Sequence, residues 1–229
     1  MPRRARLTIP DVPLHIIQRG NNHSACFYRD EDYQMYVRLL DELALKCGCG
    51  VHAYALMTNH VHLLVTPMER ESAAQMMKNL GQRYVQYVNR TYRRSGTLWE
   101  GRFRSCIANG EHYVLTCYRY IELNPVRAKM VSHPGDYAWS SYRANTGGRG
   151  STSIVPHAHY LALGDSHDAR QEAYRELFRA PPDPQLLAEI RSATNGNFAL
   201  GSGRFQLEVA AALGRRVTPG KPGRPTKTH

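Results

Sequence analysis

The stretch TNHVHLLV, residues 58–65, places two histidines one residue apart inside an apolar run. Its valines and leucines predict a buried β-strand. Because successive side chains of a strand point to opposite faces, His60 and His62 share one face, with Cβ atoms roughly 6–7 Å apart. Both imidazoles can therefore reach one divalent cation. Two structural histidines would show the same spacing, so a metal site needs further groups elsewhere in the chain.

The segments around this strand alternate in a regular order. Strands are predicted at residues 14–19, 51–57, 60–66 and 102–108, and helices at residues 30–47, 72–93 and 111–123. Asp30, Glu31 and Asp32 are expected at a helix start, where the helix dipole favours acidic side chains. The order βαββαβ followed by a helix predicts an α+β protein of the ferredoxin-like type, with an antiparallel sheet and helices on one face.

The chain is expected to have three parts. Residues 1–145 form the ferredoxin-like domain, and residues 146–213 form a small helical extension that is expected to contact DNA. Residues 214–229 form a basic tail that is too rich in Gly and Pro to fold. We find no signal peptide and no apolar run long enough for a membrane span, and the five cysteines form no paired motif. We therefore expect a cytoplasmic protein that does not bind membranes.

Charge indicates a nucleic-acid partner. The chain carries 30 Lys and Arg against 19 Asp and Glu, a net charge of +11. Between Lys78 and Arg104 the basic residues alternate with tyrosine, tryptophan and phenylalanine, and basic side chains can neutralise phosphates while aromatic rings stack on unpaired bases. The expected DNA-binding residues are Arg19, Lys78, Arg83, Arg90, Arg93, Arg94, Arg102, Arg104, Arg215, Arg216, Lys221 and Arg224. A solvated basic surface without a partner remains the alternative.

The helix after the last predicted strand carries further candidate site residues. Tyr120 and Asn124 stand at positions i and i+4 and so share one helix face. Each has an ordinary interpretation, Tyr120 as a core tyrosine and Asn124 as a helix C-terminal residue before Pro125. Combined with the His-x-His strand, they favour a metal site of two imidazoles and an amide oxygen, with a phenol beside it.

These motifs resemble those of known DNA-processing enzymes. The histidines at 60 and 62 resemble the histidine–hydrophobic–histidine motif of the HUH nucleases. The stretch RYIELNPVRA, residues 119–128, resembles the single-tyrosine motif of the REP-associated tyrosine transposases, relatives of the transposases of simple single-strand insertion sequences. The resemblance implies the HUH nuclease fold, with His60, His62 and Asn124 binding Mg²⁺ or Mn²⁺ and Tyr120 as the nucleophile.

The same resemblance implies an activity. Tyr120 would cleave single-stranded DNA at hairpin-forming repetitive extragenic palindromes, forming a 5′-phosphotyrosine intermediate from which the strand is transferred. The alternative is a non-catalytic nucleic-acid-binding protein on a ferredoxin-like scaffold, in which the histidines and aromatic residues stack on bases. A replication nickase is less favoured, because this chain is short and we assign only one catalytic tyrosine. Insertion-sequence relatives act as dimers, but for this chain we favour a monomer over a homodimer.

Overall fold

A computed structural model describes residues 6–148 and 154–220. The first six main elements are β1, α1, β2, β3, α2 and β4, which span Leu14–Arg19, Asp30–Lys46, Cys49–Met57, His60–Pro67, Ser72–Thr91 and Arg104–Ala108. This confirms the predicted βαββαβ order. The later elements are α3 to α8, then β5 and α9, which span Glu111–Glu122, Asn124–Arg127, Tyr142–Asn145, Ala158–Leu161, His167–Glu176, Pro184–Gly196, Ala199–Leu200 and Gly203–Leu213.

The sheet has the strand order β2-β3-β1-β4-β5. All neighbours among the first four strands are antiparallel, as the ferredoxin-like arrangement requires. The fifth strand comes from the C-terminal part of the chain and pairs in parallel with β4, through Ala199 opposite Ile107 and Leu200 opposite Ala108. Sequence analysis missed this strand because a two-residue strand has no periodicity to detect.

The helices cover both faces of the sheet, so the prediction of helices on one face is wrong. Helices α1 and α2 pack on the face that carries large apolar side chains, including Tyr54, Leu56 and Leu63. Helix α3 packs on the opposite face, where β2 and β4 present small residues, and its cluster also includes residues of α8. Gly110, the residue that precedes α3, has a φ of 92°, a backbone conformation that glycine adopts without strain. The chain therefore turns at Gly110 onto the face that also carries His60 and His62.

Asp32 connects α1 to α2. Its buried carboxylate accepts hydrogen bonds from the backbone N–H groups of Tyr28 and Arg29 and from the hydroxyls of Tyr87 and Tyr92. The predicted helix-start position of Asp32 is confirmed, since it is the third residue of α1. The two tyrosine hydroxyls show that Asp32 also holds the neighbouring helix.

Residues 214–220, which follow α9, pack on the domain through Val217, whereas the sequence predicts an unfolded tail over residues 214–229. Residues 221–229 of that predicted tail lie outside the described residues. Val217 is only 2% exposed, and its carbonyl accepts a hydrogen bond from the backbone N–H of Ala199. Val217 and a hydrogen bond from Arg215 to the carbonyl of Arg6 thus hold this stretch against the domain. None of the helices in the described ranges combines the length and the apolar character needed to cross a bilayer.

Glu122, the last residue of α3, lies on the side of the helix that packs against α5 and α7. Its side chain is 0% exposed, and its carboxylate accepts hydrogen bonds from Ser141 Oγ at 2.5 Å, Asn145 Nδ2 at 2.7 Å and Tyr174 Oη at 2.7 Å. Burial raises the pKa of Glu122 from its ordinary value of 4.5 to about 7, although the three hydrogen bonds oppose this shift. Desolvation is the larger effect because water does not reach the carboxylate.

This pKa predicts a pH dependence of stability. A carboxyl group with a raised pKa binds its proton more tightly in the folded than in the unfolded state. The free energy of unfolding should therefore fall as the pH rises from about 4.5 to about 7. Glu122→Gln removes this titration. The free energy of unfolding of this variant, measured with urea, should therefore change less with pH across the same range. Glu189→Gln, a substitution at an exposed position, is the control and should show the same pH dependence as the wild type. If the free energy of unfolding of wild type and Glu122→Gln changed equally with pH, the assignment would be contradicted.

Candidate active site

The two histidines of β3 lie side by side on the sheet face that α3 covers. His60 is opposite Arg19 of β1, and His62 is opposite Ile17 of β1 and Ala55 of β2. The imidazole centroids are 5.0 Å apart. His62 is almost fully buried, at 2% exposed, while His60 is partly accessible. The predicted common face of the His-x-His pair is confirmed.

Helix α3 brings Tyr120 to these histidines. The centroid of its ring lies 5.7 Å from that of His62 and 5.4 Å from that of His15 on β1. Tyr120 is 5% exposed. The structure thus brings together three residues that sequence analysis selected from segments about 60 residues apart.

Asn124 lies just beyond α3, in the first position of the short helix α4. Its Oδ1 accepts a hydrogen bond of 2.7 Å from Nη2 of Arg127, which also donates to the backbone carbonyl of Tyr120 at 2.7 Å. The guanidinium carbon of Arg127 lies 4.3 Å from the centroid of the Tyr120 ring. An amide oxygen has two lone pairs, so the bond from Arg127 leaves one available. The role of Asn124 as a metal ligand stays a prediction.

The histidines have the donor chemistry that a divalent metal requires. Nδ1 of His60 donates to Oδ1 of Asn59 at 2.6 Å, and Nδ1 of His62 lies 2.9 Å from Nε2 of His15. In metal sites the ligating imidazole commonly uses its other nitrogen in this way. Burial lowers the pKa of His60 to about 4 and that of His62 well below its usual value, so both rings are neutral at pH 7. Both rings can therefore donate a lone pair to a divalent cation. Mg²⁺ or Mn²⁺ as the bound ion stays a prediction.

His15 is a site residue that sequence analysis missed. It is 0% exposed, and its ring is nearly parallel to that of His62, with centroids 5.2 Å apart and the two rings meeting through their nitrogens. The alternation of β1 could have indicated that His15, Ile17 and Arg19 share a face. The register that places this face beside His62 depends on long-range pairing, which a single sequence does not specify.

Two other tyrosines of α3 do not reach the histidines in this arrangement. Tyr118 is fully buried, and its ring packs against those of Tyr160 and Tyr174. Tyr113 lines a surface cavity formed with residues of α8 and β5, about two helical turns from Tyr120. Tyr120 is therefore the tyrosine of this helix in ring contact with His62.

Some of the predicted DNA-binding arginines surround this site. Arg19, Arg102 and Arg104 line one pocket together with Asn195 of α8. Arg104 is opposite Ile17 of β1, on the face that carries the histidines. Arg102 also borders a larger groove of about 870 Å³ beside α2, which Lys78 lines as well. Arg102 therefore lines both the pocket and the groove, and Arg19 of the pocket lies opposite His60 in the sheet.

The other predicted DNA-binding residues have separate positions. Arg83 forms an exposed ion pair with Glu42 of α1, and Arg94 donates to the hydroxyl of Tyr28. Arg90, Arg93 and Arg216 are exposed, and Arg215 donates to the carbonyl of Arg6. Lys221 and Arg224 lie outside the described residues.

Most aromatic residues between Lys78 and Arg104 are not free to stack on bases. Tyr84, Trp99 and Phe103 are buried in the core, at 0%, 5% and 8% exposed. Tyr87 and Tyr92 are partly buried, with their hydroxyls bound to Asp32. Within α2 the alternation arises because the helix is amphipathic, with Tyr84 directed inward. Trp99 and Phe103 follow the helix and pack in the same core.

Comparisons with known proteins relate this chain to the IS200-like transposases. A family model described as IS200-like transposase matches residues 8–124. The structure is similar to that of a REP-associated tyrosine transposase bound to a REP hairpin, with a TM-score of 0.56 and 15% identity, covering 68% of this chain and 89% of that chain. It is also similar to a putative transposase from Deinococcus radiodurans R1, with a TM-score of 0.38 and 20% identity, covering 53% and 96%. A search of curated proteins found no match.

The span matched by the family model begins before β1 and ends at Asn124. It therefore includes both histidines of β3 and the tyrosine of α3. Because it covers just over half of the 229 residues, this chain belongs to the IS200-like transposase family.

Proposed function

We propose that this transposase cleaves single-stranded DNA beside hairpin-forming palindromes and transfers the strand through a 5′-phosphotyrosine on Tyr120. The contact between Tyr120 and His62, with ring centroids 5.7 Å apart, carries the proposal. This contact brings a phenol next to two neutral imidazoles in a chain of the IS200-like transposase family. The hairpin substrate is supported by the similar structure of a REP-associated transposase bound to a REP hairpin.

The reaction requires one displacement at phosphorus. The Tyr120 oxygen loses its proton and bonds to the scissile phosphorus, while the bond from phosphorus to the 3′ oxygen breaks. The 3′ oxygen takes up a proton and leaves as a hydroxyl group. Attack by a 3′-hydroxyl then reverses these steps and rejoins the strand without ATP, because the phosphodiester energy is kept in the phosphotyrosine.

A divalent cation, Mg²⁺ or Mn²⁺, would be held by Nε2 of His60 and of His62, with Oδ1 of Asn124 as the third protein ligand. When bound, it would offset negative charge on the scissile phosphate. Two buried donors next to Tyr120 would support the same phosphate. Nη1 of Arg127 and Nδ2 of Asn124 have no hydrogen-bond partner among the described residues, and phosphate oxygens would satisfy both.

The site supports action as a monomer. His60, His62 and Tyr120 come together within one chain, through the packing of α3 on the sheet. A second copy is therefore not needed to complete this set of residues. The basic pocket formed by Arg19, Arg102 and Arg104 would hold the DNA backbone beside it.

Tyr120→Phe should abolish covalent attachment to DNA. A labelled single-stranded hairpin oligonucleotide with flanking single strands is incubated with the protein and Mn²⁺, and adducts are separated under denaturing conditions. We expect an adduct with wild type and with the matched control Tyr113→Phe. In Tyr120→Phe it should fall by on the order of 10³-fold or more, since no other group replaces the nucleophile. A chelator should prevent it as well.

Two results would contradict this proposal. An adduct that persists in Tyr120→Phe but disappears in Tyr113→Phe would show that the nucleophile is Tyr113 and not Tyr120. Tight hairpin binding by wild type with no adduct at any tested hairpin would favour a binding protein that breaks no bond.

Removing the basic pocket should weaken DNA binding in a salt-dependent way. In the double variant Arg102→Ala and Arg104→Ala, the logarithm of the association constant for DNA should fall less steeply with the logarithm of the salt concentration. The slope should become shallower by roughly 0.7 to 0.9 for each lost phosphate contact. The measurement is fluorescence anisotropy with the hairpin oligonucleotide over a salt series. Arg83→Ala is the control, because Arg83 pairs with Glu42. An equal change in slope for Arg83→Ala would show that the pocket has no special role.

A further inference from the structure

A line of hydrogen bonds connects the C-terminal part of the chain to the candidate metal ligand His62. Thr194 lies on α8, and its hydroxyl is 2.7 Å from the carbonyl of Ile190 and 2.9 Å from Nδ1 of His15. Nε2 of His15 is in turn 2.9 Å from Nδ1 of His62. Thr194, His15 and His62 are 0%, 0% and 2% exposed, so water is not available to replace these bonds.

The hydrogen of the Thr194 hydroxyl can be placed by exclusion. The carbonyl of Ile190 can only accept, so at 2.7 Å the hydroxyl must donate to it. Otherwise two oxygen lone pairs would face each other at that distance. This is the common bond from a helical threonine to the carbonyl four residues earlier. Oγ1 of Thr194 then has two lone pairs left, which can accept hydrogen bonds from the ring of His15 and from the thiol of Cys106 at 3.2 Å. Nδ1 of His15 therefore carries a hydrogen.

This assignment also decides which of the two imidazoles carries the hydrogen of the bond between them. If Nε2 of His15 also carried a hydrogen, the fully buried ring would be a cation whose hydrogen-bond partners, a threonine hydroxyl and a second imidazole, carry no negative charge. A neutral His15 instead leaves Nε2 as an acceptor, and Nδ1 of His62 donates to it. A neutral His62 with its hydrogen on Nδ1 has its lone pair on Nε2, the nitrogen available to a cation.

We propose that His15 and Thr194 are positioning residues that fix the tautomer of His62 and keep its Nε2 free to bind the divalent metal. This inference rests on the proposed function for the identity of the metal ligand, but the tautomer itself does not depend on it. It also gives α8 a role in the active site, because the hydroxyl of Thr194 determines where the hydrogen lies on a ring of β3.

The test is a pair of measurements on the full chain without DNA. Long-range ¹H–¹⁵N NMR of histidine-labelled, metal-free protein reports which ring nitrogen carries the hydrogen, and EPR titration with Mn²⁺ alone reports metal affinity. Wild-type His62 should carry its hydrogen on Nδ1. In Thr194→Val, Nδ1–H of His15 would face a methyl group. We expect His15 to move its hydrogen to Nε2 and donate to His62, whose own hydrogen then moves to Nε2.

Thr194→Val should therefore weaken Mn²⁺ binding by roughly 10- to 100-fold. Thr194→Ser keeps the hydroxyl and should restore both the tautomer and the affinity. Thr116→Val is the matched control, because Thr116 is also a buried helical threonine whose hydroxyl donates to the carbonyl four residues earlier. It should leave both readouts at wild-type values.

Either of two NMR results would overturn the inference. One is wild-type His62 with its hydrogen on Nε2, which needs no variant to detect. The other is Thr194→Val with an unchanged His62 tautomer. Mn²⁺ binding that His62→Ala leaves unchanged would instead count against the metal site of the proposed function, while the tautomer measurement would still stand.

Discussion

The packing of α3 on the small-residue face of the sheet is the constraint on which the site depends. Alanines at 53 and 55 of β2 and at 108 of β4, with Cys106, leave room for the helix to lie close to the strands. Larger side chains there would separate the helix from the sheet. Tyr120 then could not keep its contact with His62. The opposite face, with its tyrosine and leucine side chains, carries the main core and α1 and α2.

Contacts at the end of α3 then fix the position of its last turn. Glu122 is held by Ser141, Asn145 and Tyr174, from the segments that follow the domain core. On the side of Tyr120, Arg127 packs over the ring and binds its backbone carbonyl. The tyrosine is thus held from both sides by buried polar contacts. Buried hydrogen bonds of this kind favour a single geometry.

The sequence predicted those parts of the fold and site that depend on local pattern. Alternation in β3 correctly placed His60 and His62 on one face, and helical spacing correctly placed Tyr120 on α3. It could not show that α3 crosses to the other face of the sheet, because this depends on tertiary packing. The Ala-Tyr-Ala-Leu alternation at residues 53–56, with small side chains on one face, was the available signal.

Long-range pairing explains the other errors and omissions. His15 became visible as a site residue only through the register of β1 with β3, and Thr194 only through the docking of α8. The aromatic residues between Lys78 and Arg104 were assigned to base stacking, since composition does not distinguish a buried helix face from an exposed binding surface. The structure instead directs Tyr84 and Trp99 into the core.

The central claim is that α3 delivers one nucleophile, Tyr120, to the His60–His62 pair. Its most direct test is mass spectrometry of the protein after reaction with a single-stranded hairpin and Mn²⁺, followed by nuclease and protease digestion. The account predicts one nucleotide-modified peptide, with the phosphate on Tyr120 attached to the 5′ end of the DNA. A phosphate on Tyr113, on Tyr118 or on a serine would contradict it, as would attachment through a 3′ end.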